Sequence, residues 1–309
     1  MKSLPISKVV EGFLLTCSAR RLSPNTIKFY HDMLARFTAW LPADPLLADV
    51  PKAQVEAFLA SLTTLSNTTV LRHHSALSAL WRWAAGEGLV ERNIVREIPP
   101  PRPEERVINP FSQAEVKAMI LAVDKSAWYR RPGQRETQHT TPNGQRNKAI
   151  LYLLLDTGIR ASELCGLHVR DVDMKARTIK VLGKGARERI IPFSDQTGKV
   201  LWRYMAERKT ESMDAPLFPS LHTGHELDAR DLYHIIVRIA KRAEVADAHP
   251  HRFRHTFAIQ YLRNHGDVYT LQTILGHTTL DMVRHYLAIA QTDIEAAHRL
   301  ASPVANWRL

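Results

Sequence analysis

A group of cationic and imidazole side chains precedes a single tyrosine near the end of the chain. His251 and Arg254 stand three positions apart, His277 follows a glycine, and Tyr286 lies farther on. Arginine presents planar donors to phosphate oxygens, and imidazole adds another donor. A phenol has a pKa of about 10, so it attacks well only when cations and a base adjust it. These residue types are typical of a site that holds a phosphodiester and attacks it through a tyrosine oxygen.

Two more cations lie upstream at turns marked by glycine. Arg160 follows Gly158 where one predicted helix ends and the next begins, which places a guanidinium beside the amides of a helix start. Lys184 lies between Gly183 and Gly185, at the tip of a predicted β-hairpin. Each cation alone is more typical of a solvated surface charge. Only the ordered set predicts the chemistry.

The histidines also raise the question of a metal site. His251 and His255 have a spacing that occurs in zinc sites, and His249 lies close by. However, position 252 is not a glutamate and no cysteine lies near. The sequence therefore predicts neither a metal site nor another cofactor.

The elements that position these residues are predicted to be mainly helices. Ser23 followed by Pro24 predicts a helix start, and apolar residues then recur every three or four positions. Shorter amphipathic stretches at 55–62 and 70–85 predict further helices, the second ended by Gly86. The first hundred residues therefore predict a helical bundle.

A proline-rich segment separates two predicted domains. Residues 99–110 predict an extended linker between an N-terminal domain at 1–98 and a second domain at 111–309. Ser112 and Glu115 have the spacing of a capping box at the next helix start.

The second domain is predicted to be helical around one β-hairpin. Residues 126–147, including Arg146, predict an exposed loop, either a solvated insertion or an added contact to DNA or a partner. Strands at 177–181 and 187–192 flank Lys184. Helices are predicted at 148–156, 197–208, 229–243, 253–264, 268–275, 279–290 and 293–300. The predicted fold class is mainly α with a small β-sheet in the C-terminal domain (α+β).

Composition restricts the class of partner and the compartment. Lys and Arg total 42 against 31 acidic residues, and a formal charge of +11 suits a polyanion. Cys17 and Cys165 lie in different segments, so the sequence predicts no disulfide and a reducing cytoplasm. It also predicts no signal peptide and no membrane span.

Four segments carry a resemblance to the tyrosine recombinase, or phage integrase, family. TGIRASEL, VLGKGARERIIPF, HRFRHTFA and LGHTTLDMVRHYL resemble the catalytic blocks of the family in order and spacing. LSPNTIKFYHDMLARFTAWL resembles part of its helical core-binding domain. The likeness is to compact, Xer-like members of the family, and it covers nearly the whole chain.

The resemblance implies a role for each site residue. Tyr286 would attack the scissile phosphate and form a 3′-phosphotyrosyl link. Arg160 and Arg254 would clamp the non-bridging oxygens, and His277 would donate a hydrogen bond to the phosphate. Lys184 would protonate the leaving 5′ oxygen.

Three more roles follow from the same resemblance. His251 would activate or orient the nucleophile. Glu163 would support the pocket, by holding a histidine or by positioning Arg160. His255 is expected to be structural.

The resemblance further implies a C-shaped clamp on double-stranded DNA that carries specific recombination sites, and a homo-tetramer on two such sites. An accessory recombinase or regulator stays open as a partner. Five basic residues are candidate phosphate contacts, although each alone is more typical of solvated charge: Lys28, Arg72, Arg82, Arg187 and Arg242.

Two other functions stay open at this point. A type IB topoisomerase would use the same phosphotyrosine chemistry on one duplex. A DNA-binding regulator without catalysis would need the basic surface but not the tyrosine. The resemblance favours site-specific recombination over both.

Overall fold

The chain forms two compact units, Met1–Arg106 and Val107–Leu309. The computed structural model describes residues 4–104, 108–124, 141, 143–183, 187–208, 212–220, 224–277, 279, 281–290, 298 and 302–307. None of the helices described there is long and apolar enough to cross a membrane.

The first unit is a helical bundle, as predicted. Ser23 caps its second helix, because its hydroxyl accepts a hydrogen bond from the Thr26 amide at 3.1 Å. Phe37, Phe58 and Trp81 are fully buried and meet edge to face in its core. The helices are α1 Ile6–Ala19, α2 Pro24–Trp40, α3 Lys52–Ser61 and α4 Asn67–Gly86.

The second unit consists mainly of helices with one small sheet, so the predicted fold class is confirmed. Its elements are α5 Gln113–Ala122, α6 Gly144–Thr157, α7 Ala161–Cys165, β1 Val172–Asp173, β2 Thr178–Leu182, β3 Glu188–Pro192, α8 Asp195–Arg208, α9 Ala229–Arg242, α10 Pro250–Arg263, α11 Val268–Leu275, α12 Asp281–Ala290 and α13 Pro303–Asn306. The predicted helix at 293–300 falls outside the described residues.

The capping box that opens α5 is confirmed. The Ser112 amide donates to Glu115 Oε2 at 2.7 Å, and the Glu115 amide donates to Ser112 Oγ at 3.2 Å. These two bonds satisfy amides that a helix start leaves without partners.

The predicted loop at 126–147 is wrong at its C-terminal end. Helix α6 already begins at Gly144, and Arg146 is only 6% exposed. Arg146 Nη1 donates to the Pro219 carbonyl oxygen at 3.0 Å, a bond that lies far away in sequence. The polar composition of residues 126–147 predicts solvent exposure and gives no sign that Arg146 binds a distant backbone carbonyl. Residues 126–140 fall outside the described residues.

The predicted hairpin is confirmed, and a short strand β1 adds a third strand to its β2 edge. Val181 pairs with Arg189, and Ile179 pairs with Ile191. Because side chains alternate along a strand, Arg189 lies on the same face as the buried Ile191. The hairpin therefore points one arginine toward the interior.

Candidate active site

The turn between α6 and α7 places Arg160. Gly158 ends α6 in the left-handed conformation with φ 59°, which glycine adopts without steric cost. Arg160 then caps α7, and its amide donates to Glu163 Oε2 at 2.9 Å. Its guanidinium donates to Glu163 Oε1 at 2.8 Å and to the Gly276 carbonyl oxygen at 3.0 Å. The expected placement of a guanidinium at a helix start is thus observed.

Glu163 is the carboxylate that these cations share. Its side chain is 3% exposed, and Arg189 grips both of its oxygens at 2.8 Å. Burial alone would raise the pKa of Glu163, but hydrogen bonds from Arg189 and Arg160 outweigh it and hold that pKa at about 2. Of the two expected support roles, the contacts of Glu163 fit the positioning of Arg160.

Arg254 is buried on the first turns of α10, where its head reaches two helix ends. Nη1 donates to the Gly158 carbonyl oxygen at 2.7 Å, and Nη2 donates to the Leu275 carbonyl oxygen at 2.7 Å. Carbonyls at helix C-termini carry partial negative charge and favour a cation. Burial and then the neighbouring Arg160 still lower the pKa of Arg254 to about 10.

His277 lies against the same guanidinium. Its Nε2 is 2.7 Å from Arg254 Nη2, and because a guanidinium only donates, Nε2 accepts. The proton then sits on Nδ1, which is buried and has no hydrogen-bond partner among the described residues. Burial, Arg254 and Arg160 lower the pKa of His277 to about 4, so the ring is neutral at pH 7. A buried N–H without a partner suits a ligand oxygen.

Tyr286 projects from α12 into this group and is 5% exposed. Its hydroxyl lies 2.9 Å from Nδ1 of His255, and its ring stacks on His277 with centroids 6.4 Å apart. Burial raises the pKa of Tyr286, whereas Arg254 and Arg160 act to lower it. The phenol is therefore within electrostatic reach of both proposed clamp residues.

The imidazole beside the Tyr286 hydroxyl is not the expected one. His255, expected to be structural, contacts the Tyr286 hydroxyl. His251 is exposed on α10 and stacks on His255 with centroids 5.8 Å apart. Although His251 is exposed, the protein packed around its ring partly desolvates it and, together with Arg254, lowers the pKa of His251. Position along α10 accounts for this outcome, because it is the ring of His255 that lies against Tyr286 of α12.

The remaining predicted residues stand in different settings. Lys184 falls outside the described residues; beside it, the Gly183 amide donates to the Arg187 carbonyl oxygen at 2.8 Å. Arg242 uses its Nε to hold the Ala122 carbonyl oxygen at the end of α5, at 3.1 Å.

The other candidate DNA contacts are surface groups: Lys28 pairs with Asp32 at 3.2 Å, Arg72 lies over the Phe29 ring, and Arg82 and Arg187 are exposed. Within the described part of the chain, no group of three or more His, Cys, Asp or Glu side chains is arranged to hold a metal ion.

Arg189 is the residue that the sequence interpretation missed. It lies two positions after Arg187, which was considered only as a surface contact. The period of two along β3 gives a signal, because it places Arg189 on the side of Ile191. An arginine on the inner face of a strand requires a buried partner, and Glu163 is that partner.

Comparisons with known proteins identify the family of the chain. Residues 134–293 match the phage integrase family, and residues 9–91 match the phage integrase N-terminal SAM-like domain. The chain is 32% identical over 298 residues to the tyrosine recombinase XerC of Oceanobacillus iheyensis, with 93% of each chain covered. It is 30% identical over 308 residues to XerC of Staphylococcus epidermidis, covering 97% of this chain and 99% of the relative.

A solved structure extends the likeness to the fold. The Tn1549 transposon integrase in complex with transposon right end DNA matches with a TM-score of 0.73 at 19% identity, over 95% of this chain and 99% of that chain. At this identity the likeness shows the fold alone. The sequence matches cover both units, and the chain therefore belongs to the phage integrase family and is a tyrosine site-specific recombinase that acts in DNA recombination.

Proposed function

We propose that Tyr286 carries the strand transfer. Its hydroxyl oxygen attacks the scissile phosphorus, the bond from phosphorus to the 5′ oxygen breaks, and a 3′-phosphotyrosyl link replaces it. The phenol proton passes to a base, and the leaving oxygen takes up a proton. Because the phosphotyrosine keeps the energy of the diester bond, a 5′ hydroxyl rejoins the strand by the reverse reaction without a nucleotide cofactor.

One observation carries this proposal. The Tyr286 hydroxyl lies 2.9 Å from Nδ1 of His255; burial raises the pKa of Tyr286, and the neighbouring Arg254 and Arg160 oppose that rise. A nucleophilic phenol needs a proton acceptor within hydrogen-bond reach and cations that favour the phenolate.

Arg160 and Arg254 are proposed to bind the non-bridging oxygens, with His277 donating from Nδ1. Negative charge builds on these oxygens as the phosphorane forms, so cations already in place favour the transition state. Among the described residues, Arg160, Arg189 and Arg254 surround the one carboxylate of Glu163, which leaves an excess of positive charge there. A phosphate diester would offset that excess. Lys184 is proposed as proton donor to the leaving oxygen.

The proposed partner is double-stranded DNA with specific recombination sites, bound by a homo-tetramer in the cytoplasm. A tetramer would bring two sites together for exchange. Lys28, Arg72, Arg82 and Arg187 are proposed phosphate contacts that position the duplex. The domain boundaries 1–98, 99–110 and 111–309 are part of the same proposal. An accessory recombinase or regulator is compatible with it.

A nicked suicide site tests the proposal. When the nick lets the short product diffuse away, the covalent adduct accumulates and is visible as a slower band on a denaturing gel. Wild type should form it, and Tyr286→Phe should form none while binding DNA as tightly as wild type. An adduct in the variant would remove Tyr286 from the mechanism. Relaxation of supercoiled plasmid without any special site would favour a topoisomerase, and binding without adduct on all sites would favour a regulator.

A further inference from the structure

Arg189 stands at the centre of a set of contacts that reach the proposed phosphate clamp. Nη1 and Nη2 grip the two oxygens of Glu163, and Nε donates to the Ile274 carbonyl oxygen at 2.8 Å. Its side chain is 13% exposed, so these bonds form largely away from solvent. Charge-assisted bonds of this forked geometry are among the strongest in proteins.

Three consecutive carbonyls at the end of α11 each accept a hydrogen bond from a different arginine. Ile274 accepts from Arg189, Leu275 from Arg254 and Gly276 from Arg160. The segment that these bonds fix leads directly into His277. Arg189 therefore forms hydrogen bonds to Glu163 and to the end of α11, the same two groups that accept hydrogen bonds from the Arg160 guanidinium.

Two glycines make room for the Arg189 head. A Cβ added at Gly183 would lie 3.2 Å from its Nη1, and a Cβ added at Gly276 would lie 3.2 Å from its Cζ. A methyl group at either position would crowd the guanidinium. The guanidinium thus occupies a slot that only small residues leave open.

We infer that Arg189 is a positioning residue of the proposed phosphate clamp. It touches neither DNA nor Tyr286 in this scheme; it fixes Glu163 and the end of α11, and these two fix Arg160. Lysine cannot replace it, because an ammonium group lacks the fork that matches both carboxylate oxygens. The inference rests on the proposed function, since Arg160 must bind the scissile phosphate for its position to matter.

The test compares cleavage of two diesters by Arg189→Lys and by wild type. One suicide site carries a normal scissile phosphate, and the other a methylphosphonate, which is neutral because a methyl group replaces one non-bridging oxygen. With the normal phosphate, Arg189→Lys should slow adduct formation by about tenfold or more, because a displaced Arg160 stabilises the transition state less well. DNA affinity should stay within about twofold. With the methylphosphonate the slowing should shrink, since less charge needs neutralising. A merely structural role would slow both diesters equally.

Controls separate folding from positioning. Arg170→Lys makes the same change in an exposed ion pair with Asp214 and should leave both rates unchanged. Urea unfolding reports the stability of each variant. If Arg189→Lys does not fold, Gly183→Ala crowds the same guanidinium and should give the same difference between the two diesters.

A double-mutant cycle checks the route. In a Glu163→Gln background, Arg189→Lys should slow adduct formation much less than in wild type, because a neutral amide has already replaced the carboxylate that Arg189 binds. Equal slowing on both diesters, or no slowing with either Arg189→Lys or Gly183→Ala, overturns the inference. Absence of an adduct in wild type would instead count against the proposed function.

Discussion

At the scale of single residues, the site contains side chains whose positive charge is unfavourable in the absence of a bound anion. Arg254 is 3% exposed and close to Arg160, and its lowered pKa shows that these surroundings disfavour its positive charge. His277 stays neutral for the same reasons, and its Nδ1–H has no partner within the part of the chain that the structure describes. A bound phosphate would offset the charge and accept that N–H. The unliganded protein therefore gives up stability to be ready for its ligand.

The pKa of His277 predicts a loss of stability in mild acid. Its folded value of about 4 lies below the ordinary 6.5, so the unfolded chain takes up the proton first. The contribution is fully present above pH 6.5 and is lost as the pH falls toward 4. Between pH 7 and pH 5 this amounts to about 2 kcal/mol of unfolding free energy.

Urea unfolding at a series of pH values measures this loss. His277→Gln removes the titrating group. Between pH 7 and pH 5, its free energy of unfolding should therefore fall by about 2 kcal/mol less than that of wild type. Other histidines with lowered pKa, such as His249 and His251, remain in both proteins and cancel in the difference. Parallel curves for the two proteins would contradict the assignment.

His255 predicts a second effect, on rate rather than stability. His255→Phe keeps a ring beside Tyr286 but removes the nitrogen 2.9 Å from its hydroxyl. Adduct formation should slow by about a hundredfold, the usual size of general-base catalysis. The remaining rate should rise with pH as more phenolate forms.

Single-turnover cleavage of the suicide site measures both effects. His234→Phe, at an exposed position on α9, is the control. An unchanged rate in His255→Phe would mean that His255 only packs.

At the scale of secondary structure, helix ends build the site. Helix α6 and helix α11 both end at a glycine in the left-handed region, Gly158 at φ 59° and Gly276 at φ 61°. Each reversal turns backbone carbonyls toward the arginines and lets the chain continue to Arg160 or His277. The two short turns thus do more to place functional groups than the helices that they end.

Gly158→Ala is expected to be far more harmful than a similar change elsewhere. Its new Cβ would lie 2.9 Å from Leu275 Cδ2 and closer still to the Phe257 ring, in addition to the left-handed backbone. The loss of unfolding free energy should be about 3 kcal/mol or more. Gly224 is the matched control, because its φ is 71° but its Cβ would meet no atom of the described residues within 4 Å. Gly224→Ala should cost only about 1 kcal/mol. Equal losses in the two variants, measured by urea unfolding, would show that packing at Gly158 is unimportant.

At the scale of the whole molecule, two independently packed units share one charge sign. The first unit packs around Phe37, Phe58 and Trp81, and the second has a separate core around α6, α8 and α10. Cationic side chains are in excess over the chain, with a formal charge of +11. Such an excess attracts a polyanion over a distance and adds affinity that does not depend on sequence.

DNA affinity should therefore depend steeply on salt. Raising the salt from about 50 to about 200 mM should weaken binding by ~10³-fold or more, because each phosphate contact releases a counterion. Fluorescence anisotropy with a labelled duplex measures this slope. Tyr286→Phe removes no charge and should show the same slope as wild type. Affinity that is nearly independent of salt would exclude a binding mode dominated by phosphate contacts.

The sequence by itself determined the fold class, the helix starts at Ser23 and Ser112, and the hairpin. These features depend on local physics: capping residues, proline and glycine at turns, and apolar periodicity act over a few positions. The same local reasoning failed for Arg146, whose partner lies 73 positions away.

Only the tertiary structure decided which groups meet. It assigned His255 rather than His251 to Tyr286, joined Arg189 to Glu163, and set three arginines on the end of α11. These contacts span from 21 to 116 positions of sequence. No local propensity encodes such distances, since they follow from how α6, α10, α11 and the hairpin pack around a common core.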